Sequence, residues 1–311
     1  MNISEFFDPK KTKQLVCFDE YFKFFKNLIN SNKLPKASLL TGTKGTGKLT
    51  LISHLMNSFF DKSNYDEEKN LILNNSSFLS QYLDNIYPNI IYLSGTDFKS
   101  VKIDDIRNIK NLLIKKPMID NKRFVILDDV EMFNLNSMNA LLKMIEEPGP
   151  DNYFILIYNK SKRLLETIKS RCIEFHINLN SEKKRIAINH LIKYFNQEKI
   201  LKKDLIDISP GNYIKFNHIL NENKINPDGK FIDNINLILN LYKKEKNILY
   251  KDLLIFFTEY YFKTISIYKN VDKLEIIEKR NFLLKNINDF FFYNLSQNSF
   301  LQSIENNISN E

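Results

Sequence analysis

The stretch Gly42-Thr43-Lys44-Gly45-Thr46-Gly47-Lys48-Leu49-Thr50 constrains this chain more than any other. Its glycines let consecutive backbone N–H groups turn inward around an anion-sized nest. Lys48 is spaced to reach the outer phosphates of a nucleotide, and a helix starting here would turn its positive end on them. The next position normally carries a hydroxyl for Mg²⁺, and here it is Leu49. Thr50 has a hydroxyl, but one step along a helix turns it roughly 100° away. The loop therefore reads as able to hold ATP or ADP and poorly equipped to hydrolyse it. Its candidate nucleotide-binding residues are Gly42, Gly45, Thr46, Gly47, Lys48 and Thr50.

The flanks supply the context such a loop requires. Ala37-Ser38-Leu39-Leu40 reads as a buried strand entering it, and Leu51, Ile52, Leu55, Met56, Phe59 and Phe60 recur at helical spacing after it. A second signal is Arg123-Phe124-Val125-Ile126-Leu127-Asp128-Asp129, an apolar run ending in two acids. That pattern is a buried parallel strand with carboxylates at its C-terminal edge, where open α/β sheets bind ligands. Asp128 would sit behind a Mg²⁺ ion. Asp129 occupies the position where a glutamate normally polarises the attacking water. It is one methylene shorter, and a misplacement of about 1 Å costs about a hundredfold in rate. A third apolar strand, Tyr153 to Tyr158, ends in Asn159, a polar residue placed to touch a γ-phosphate or the lytic water.

Along the chain, an amphipathic helix with Phe18, Phe22, Phe25 and Leu28 or Ile29 on one face precedes the first strand. Residues 61–87 read as polar and irregular at their start, and Pro88 to Leu93 as a strand. Ile103 opens a helix stopped by Pro117. Asn134 or Asn136 caps another, whose core face is Met138, Leu141, Leu142 and Ile145 and which Glu146-Glu147-Pro148-Gly149-Pro150 ends. A last strand spans Ile173 to Ile177. The alternation to that point predicts an α/β fold, a parallel sheet covered by helices on both faces. Everything beyond is helical, with Ser209-Pro210-Gly211-Asn212 starting one helix and Asn226-Pro227-Asp228-Gly229 forming the clearest linker. The expected domains are residues 1–178, a small helical lid at 179–225 and a C-terminal helical domain at 226–311.

Composition excludes several classes. Two cysteines and four histidines form no metal-ligand spacing, and Cys17 with Cys172 argues for a reducing cytoplasm rather than a disulfide framework. No apolar run is long enough to span a bilayer, and the first five residues lack an export pattern. The formal charge of +8 suits work near nucleic acid, but the lysines are scattered and form no stripe.

These pieces, in this order, resemble the clamp-loader AAA+ family of bacterial DNA replication. Leu34-Pro35-Lys36-Ala37-Ser38-Leu39-Leu40-Thr41-Gly42 resembles that family's entry to its phosphate loop. Asn139-Ala140-Leu141-Leu142-Lys143-Met144-Ile145-Glu146-Glu147-Pro148 is similar to its signature helix, and Ser170-Arg171-Cys172 to its Ser-Arg-Cys motif. The match covers about the first 220 residues. It implies an AAA+ fold with a helical lid and collar, and other clamp-loader subunits (gamma/tau and delta type), a sliding clamp and primed DNA as partners. It also implies that Arg171 is an arginine finger acting in trans on a neighbour's ATP, a role worth about 10³–10⁵ in rate in other phosphoryl-transfer systems.

The departures from the family pattern all weaken the chain's own pocket. Leu49 replaces the Mg²⁺ hydroxyl, Asp129 the glutamate, and Asn212 the lid arginine that senses the γ-phosphate; the four-cysteine zinc module is absent, so no zinc is expected. Losing one contact to a charged group costs roughly 1.5–3 kcal/mol, and several such losses in one pocket imply weak binding or no turnover. The expected role is a subunit that hydrolyses little or nothing and serves a neighbour through Arg171. The rivals are a gamma/tau-like ATPase using its own site and an AAA+ adaptor outside replication.

Overall fold

A computed structural model describes residues 7–95, 101–114, 116–117, 122–201, 207–268 and 273–308. The first five residues and positions 309–311 of the C-terminal tail therefore lie outside the described residues. The chain separates into two compact units, residues 1–190 with 209–212, and residues 191–208 with 213–311.

The first unit is built on a five-stranded parallel sheet in the order β4-β5-β6-β1-β7, where β1 is Ala37–Thr41, β4 Ile90–Ser94, β5 Arg123–Asp128, β6 Asn152–Tyr158 and β7 Ile173–His176. β5 and β6 are central and apolar almost throughout. Successive side chains leave a strand on opposite faces, and the core divides accordingly. Leu40, Phe124, Ile126, Ile155 and Ile157 pack on one side, against helices α1 (Asp19–Asn30), α2 (Lys48–Phe60) and α3 (Ser77–Leu83). Leu39, Val125, Leu127, Phe154 and Leu156 pack on the other, against α4 (Ile103–Leu113), α5 (Leu135–Glu146) and the short α6 (Glu166–Lys169). Helices thus cover both faces, as the alternation of apolar strands and amphipathic helices predicts.

Local chemistry sets the ends of these elements. Asn134, not Asn136, caps α5, accepting from Ser137 N at 2.8 Å. Phe22, Phe25 and Ile29 form the buried face of α1. The segment read as irregular holds a two-strand hairpin, β2 (Tyr65–Asp66) with β3 (Leu71–Ile72), as well as α3, which Ser76 caps. Leu71 also bridges to Gln14, nearly sixty residues earlier in the chain. β7 is the sheet's edge strand, and Ile173 there is 56% exposed. Helix α7 (Ser181–Tyr194) follows it.

The second unit is helical. It contains most of α8 (Pro210–Glu222), then α9 (Phe231–Glu245), α10 (Leu249–Tyr268), α11 (Lys273–Tyr293) and α12 (Gln297–Ile308). Aromatic rings fill much of its core: Phe231 stacks on Tyr261 at 4.2 Å between centroids and Phe290 lies 4.9 Å from Phe300. Arg280 grips Glu259 with two charge-assisted bonds between α11 and α10. Asn217, fully buried on α8, accepts from the amides of Ile200 and Leu201 and donates to the Glu198 carbonyl, so an otherwise costly buried amide is satisfied.

Candidate functional site

The phosphate-type loop leaves the C-terminal end of β1. Gly42 donates to the Tyr158 carbonyl and runs so close to the Ile177 carbonyl that a Cβ would stand 2.3 Å from it. Gly45 and Gly47 take φ of +79° and +111°, left-handed conformations that admit glycine and few others. Thr46 Oγ1 donates to the Thr43 carbonyl at 2.7 Å and braces the bend. Lys48 opens α2 with its side chain buried, and its ammonium donates to the carbonyls of Gly42 and Thr43, each at 2.9 Å. Burial lowers its pKa to about 8 against the pull of Asp128, Glu131 and Asp129.

Leu49 is buried in the core with Phe18, Leu51 and Ile52, so the position that would offer a hydroxyl to Mg²⁺ is part of the apolar packing. Phe18 rests its ring 3.2 Å from where a Cβ on Gly47 would lie. The loop apex has partners within its own unit: Ser209 Oγ donates to the Lys44 carbonyl at 2.6 Å and Gly211 N to the Gly45 carbonyl at 2.8 Å. Asn212, the residue in place of a lid arginine, puts its Oδ1 2.7 Å from where a Cβ on Gly45 would lie.

Asp128, Asp129 and Asn159 meet at the same edge of the sheet, on the adjacent ends of β5 and β6. Asp128 Oδ1 accepts from the Asp129 amide at 2.9 Å, and Tyr92 Oη lies 3.5 Å from its other oxygen. Burial first, and the Asp129 carboxylate second, push Asp128 up to about 7. Asp129 is buried at a left-handed φ of 48°, and Asn159 Nδ2 donates to its Oδ1 at 2.8 Å. Sequence reading did not foresee Glu131. Its Oε1 accepts from the amides of Asn159 and Ser161, both at 3.0 Å, and so holds the turn after β6 in place. No local pattern announces that role, because donor and acceptor are 28 and 30 residues apart.

The strand order β5-β6-β1 therefore gathers Asp128, Asp129, Asn159 and the loop Gly42–Lys48 along one edge, within two strand spacings of about 4.8 Å. As a donor set the glycine loop and Lys48 fit an anion such as a nucleotide phosphate. The set does not fit Mg²⁺-assisted hydrolysis: position 49 is apolar and buried, and Asp129 is engaged by Asn159. Thr50 is half-buried on the first turn of α2. Among the described residues no group of three or more His, Cys, Asp or Glu comes together as a metal site, and no helix is long and apolar enough to cross a membrane.

Arg171 lies elsewhere. It follows α6 and precedes β7 by two residues, and Ile173 pairs with Ser38, so Arg171 is level with position 36 at the N-terminal edge of the sheet. The loop starts at Gly42, so at about 3.3 Å per residue roughly 20 Å of strand separates the two. That exceeds what an arginine side chain spans. Arg171 is exposed, its Nε donates to Glu146 at the end of α5, and its Nη1 to the Thr167 carbonyl at 3.0 Å. Cys172 beside it is a free thiol pushed up to about 12 by burial, so it offers no thiolate.

Comparison with known proteins agrees with this architecture. The DNA polymerase III subunit delta' of Pseudomonas aeruginosa is 37% identical over 76 residues, covering 24% of this chain and 23% of that one. The DNA polymerase III subunit gamma of a Buchnera aphidicola strain is 26% identical over 186 residues, covering 60% of this chain and 50% of that one. The matched part thus spans half or less of either relative. A solved structure of a gamma-subunit-related protein from Thermotoga maritima superposes with a TM-score of 0.54 at 19% identity, over 91% of this chain and 96% of the other, which shows a shared fold. The family model described as DNA polymerase III, delta subunit, matches residues 18–181, more than half of the 311 residues, and with the AAA+ fold and the Ser-Arg-Cys corner in place the chain belongs to that clamp-loader family.

Proposed function

We propose that this chain is a delta-prime-type clamp-loader subunit that places Arg171 against ATP held by a neighbouring subunit and turns over little or none of its own. One observation carries the reading: Arg171 and the chain's own phosphate loop occupy opposite edges of one sheet, roughly 20 Å apart along the strands. A guanidinium stays charged and grips phosphate oxygens in a planar fork. The phosphate it grips therefore belongs to another chain. The home site supports the same division, since buried Leu49 stands at the Mg²⁺ position and Lys48 is engaged by the carbonyls of its own loop.

In this reading the partners are gamma/tau-type and delta-type subunits, and through them a sliding clamp and primed DNA, in the cytoplasm. Within the helical part, residues 179–225 act as a lid and residues 226–311 as the collar that joins the ring. The experiment is affinity capture of the tagged chain from lysate, with its companions identified by mass spectrometry. Gamma/tau- and delta-type subunits in stoichiometric amounts support the reading. Their absence refutes it and favours an AAA+ adaptor working outside replication.

A second reading, a gamma/tau-like ATPase, draws support from the longer stretch shared with the Buchnera gamma subunit and from the intact Lys48 and Asp128. Brisk ATP hydrolysis by the purified chain alone, stimulated by primed DNA, would select it.

A further inference from the structure

Arg171 is held by two of its three nitrogens. Nε donates to Glu146 and Nη1 to the Thr167 carbonyl, while Nη2 makes no hydrogen bond among the described residues. Glu146 is the last residue of α5, and Thr167 lies in α6. The guanidinium is thus pinned between two helices at Nε and at Nη1, which also lies 3.5 Å from Ser170 Oγ, and Nη2 is left over. Both side chains are substantially exposed, 36% for Arg171 and 44% for Glu146. An ion pair that exposed contributes little to folding, because water and salt screen it and two flexible side chains must be ordered to make it. Its position next to the one arginine with a proposed role in trans asks for another reason. The next residue, Glu147, carries the same charge one position along and does not take part, so the contact belongs to Glu146 specifically.

Resting on the finger reading above, we propose that Glu146 is a positioning residue that holds Arg171 in the rotamer in which its Nη2 meets the neighbour's phosphate oxygens. An arginine left free must be ordered each time it engages phosphate. One already held on its Nε edge enters the encounter with that freedom removed. The carboxylate and the phosphate do not compete for one donor, because Glu146 takes Nε and the phosphate would take Nη2. Immobilising a side chain of this kind is worth about threefold to tenfold in rate. Glu146 touches no substrate in this scheme and acts only through Arg171.

The test is a double-mutant cycle on MgATP turnover by the complex assembled from this chain and the subunits it captures, comparing the unaltered chain, Glu146→Ala, Arg171→Ala and the pair together. Glu146→Ala is expected to lower kcat about threefold to tenfold with KM for ATP unchanged, and to cost nothing further once Arg171 is alanine. Glu146→Asp should recover part of the loss, and the melting temperature of the chain should stay within about 2 °C throughout, as for an exposed pair. Equal losses from Glu146→Ala with and without Arg171 would overturn the proposal, since Glu146 would then act by another route. So would an unchanged rate, or a faster one; the faster rate would make the pair a latch that withholds the finger. If Arg171→Ala alone leaves turnover intact, the finger reading falls first and this inference goes with it, an outcome distinct from the failure of Glu146 alone.

Discussion

Glu131 offers a demanding test of how the site is held together. Its side chain is buried, Oε1 accepts from the amides of Asn159 and Ser161, and Oε2 has no hydrogen-bond partner among the described residues. Burial raises its pKa above the usual carboxylate value even though both amides favour the charged form. The charge is therefore a cost to folding, and the useful part of the residue is one oxygen in one place. Glu131→Ala removes that oxygen from both amide donors. Ser161 is exposed and its amide can turn to water, so the expected loss is about 1–3 kcal/mol, that of one stranded donor on half-buried Asn159, against the roughly 5–15 kcal/mol that stabilises a typical protein. Glu131→Gln keeps an acceptor at Oε1, discards the charge, and puts an amide group where Oε2 already lacks a partner. Its expected effect is within about 1 kcal/mol of zero. Hydrogen exchange at the amides of Asn159 and Ser161, read beside urea unfolding, distinguishes the two: protection should vanish in the alanine variant and persist in the glutamine one. If glutamine is as damaging as alanine, the charge rather than the acceptor holds the turn, and the reasoning fails.

Further outcomes follow from the same geometry. Gly42→Ala should destabilise the first unit by about 1–3 kcal/mol or more, because its Cβ would meet the Ile177 carbonyl at 2.3 Å with backbone on both sides; thermal melting reads this directly. Asp128→Asn should change the pH dependence of stability. With a folded pKa raised to about 7, Asp128 favours the folded state most at low pH, and that contribution is lost as pH rises from about 4 through 7. The asparagine variant should therefore gain on the unaltered chain more at pH 8 than at pH 4, and a gain independent of pH would contradict the assignment. Asn134→Ala removes the cap on α5 together with the Nδ2 bond to the Val101 carbonyl, and should cost about 0.5–2 kcal/mol in the same melt.

Much of the α/β unit was legible in the sequence because its signals are local. Apolar runs ending in a glycine, an acid or an asparagine marked β1, β5 and β6, and Glu146 to Pro150 and Ser209 to Asn212 punctuated helices where glycine or proline forces a change of backbone. The β2–β3 hairpin was not legible. It is two residues long on each side, and part of what secures it, the bridge from Leu71 to Gln14, lies far away in the chain. Asp128, Asp129 and Asn159 come to one edge because parallel strands put all their C-terminal ends on the same side of the sheet. Sequence reading did not reveal that Asn159 donates to Asp129, that Glu131 fastens the turn, or that Ser209 and Gly211 bond to the loop apex. Each of those contacts joins residues many positions apart, and no periodicity encodes them. The possibility that Arg171 pairs with a carboxylate at the surface was open from its residue type alone; that the carboxylate is Glu146 follows only from the way α5 ends at the edge where β7 begins.

The central claim is that this chain acts on nucleotide bound by another subunit and not on its own. The measurement that bears on it most directly is single-turnover ATP hydrolysis at the site adjoining this chain in the assembled complex, with Arg171→Ala and Lys48→Ala compared side by side. The account expects Arg171→Ala to slow that step by about 10³-fold or more, while Lys48→Ala leaves it within about twofold. A large loss from Lys48→Ala with Arg171→Ala nearly silent would contradict it.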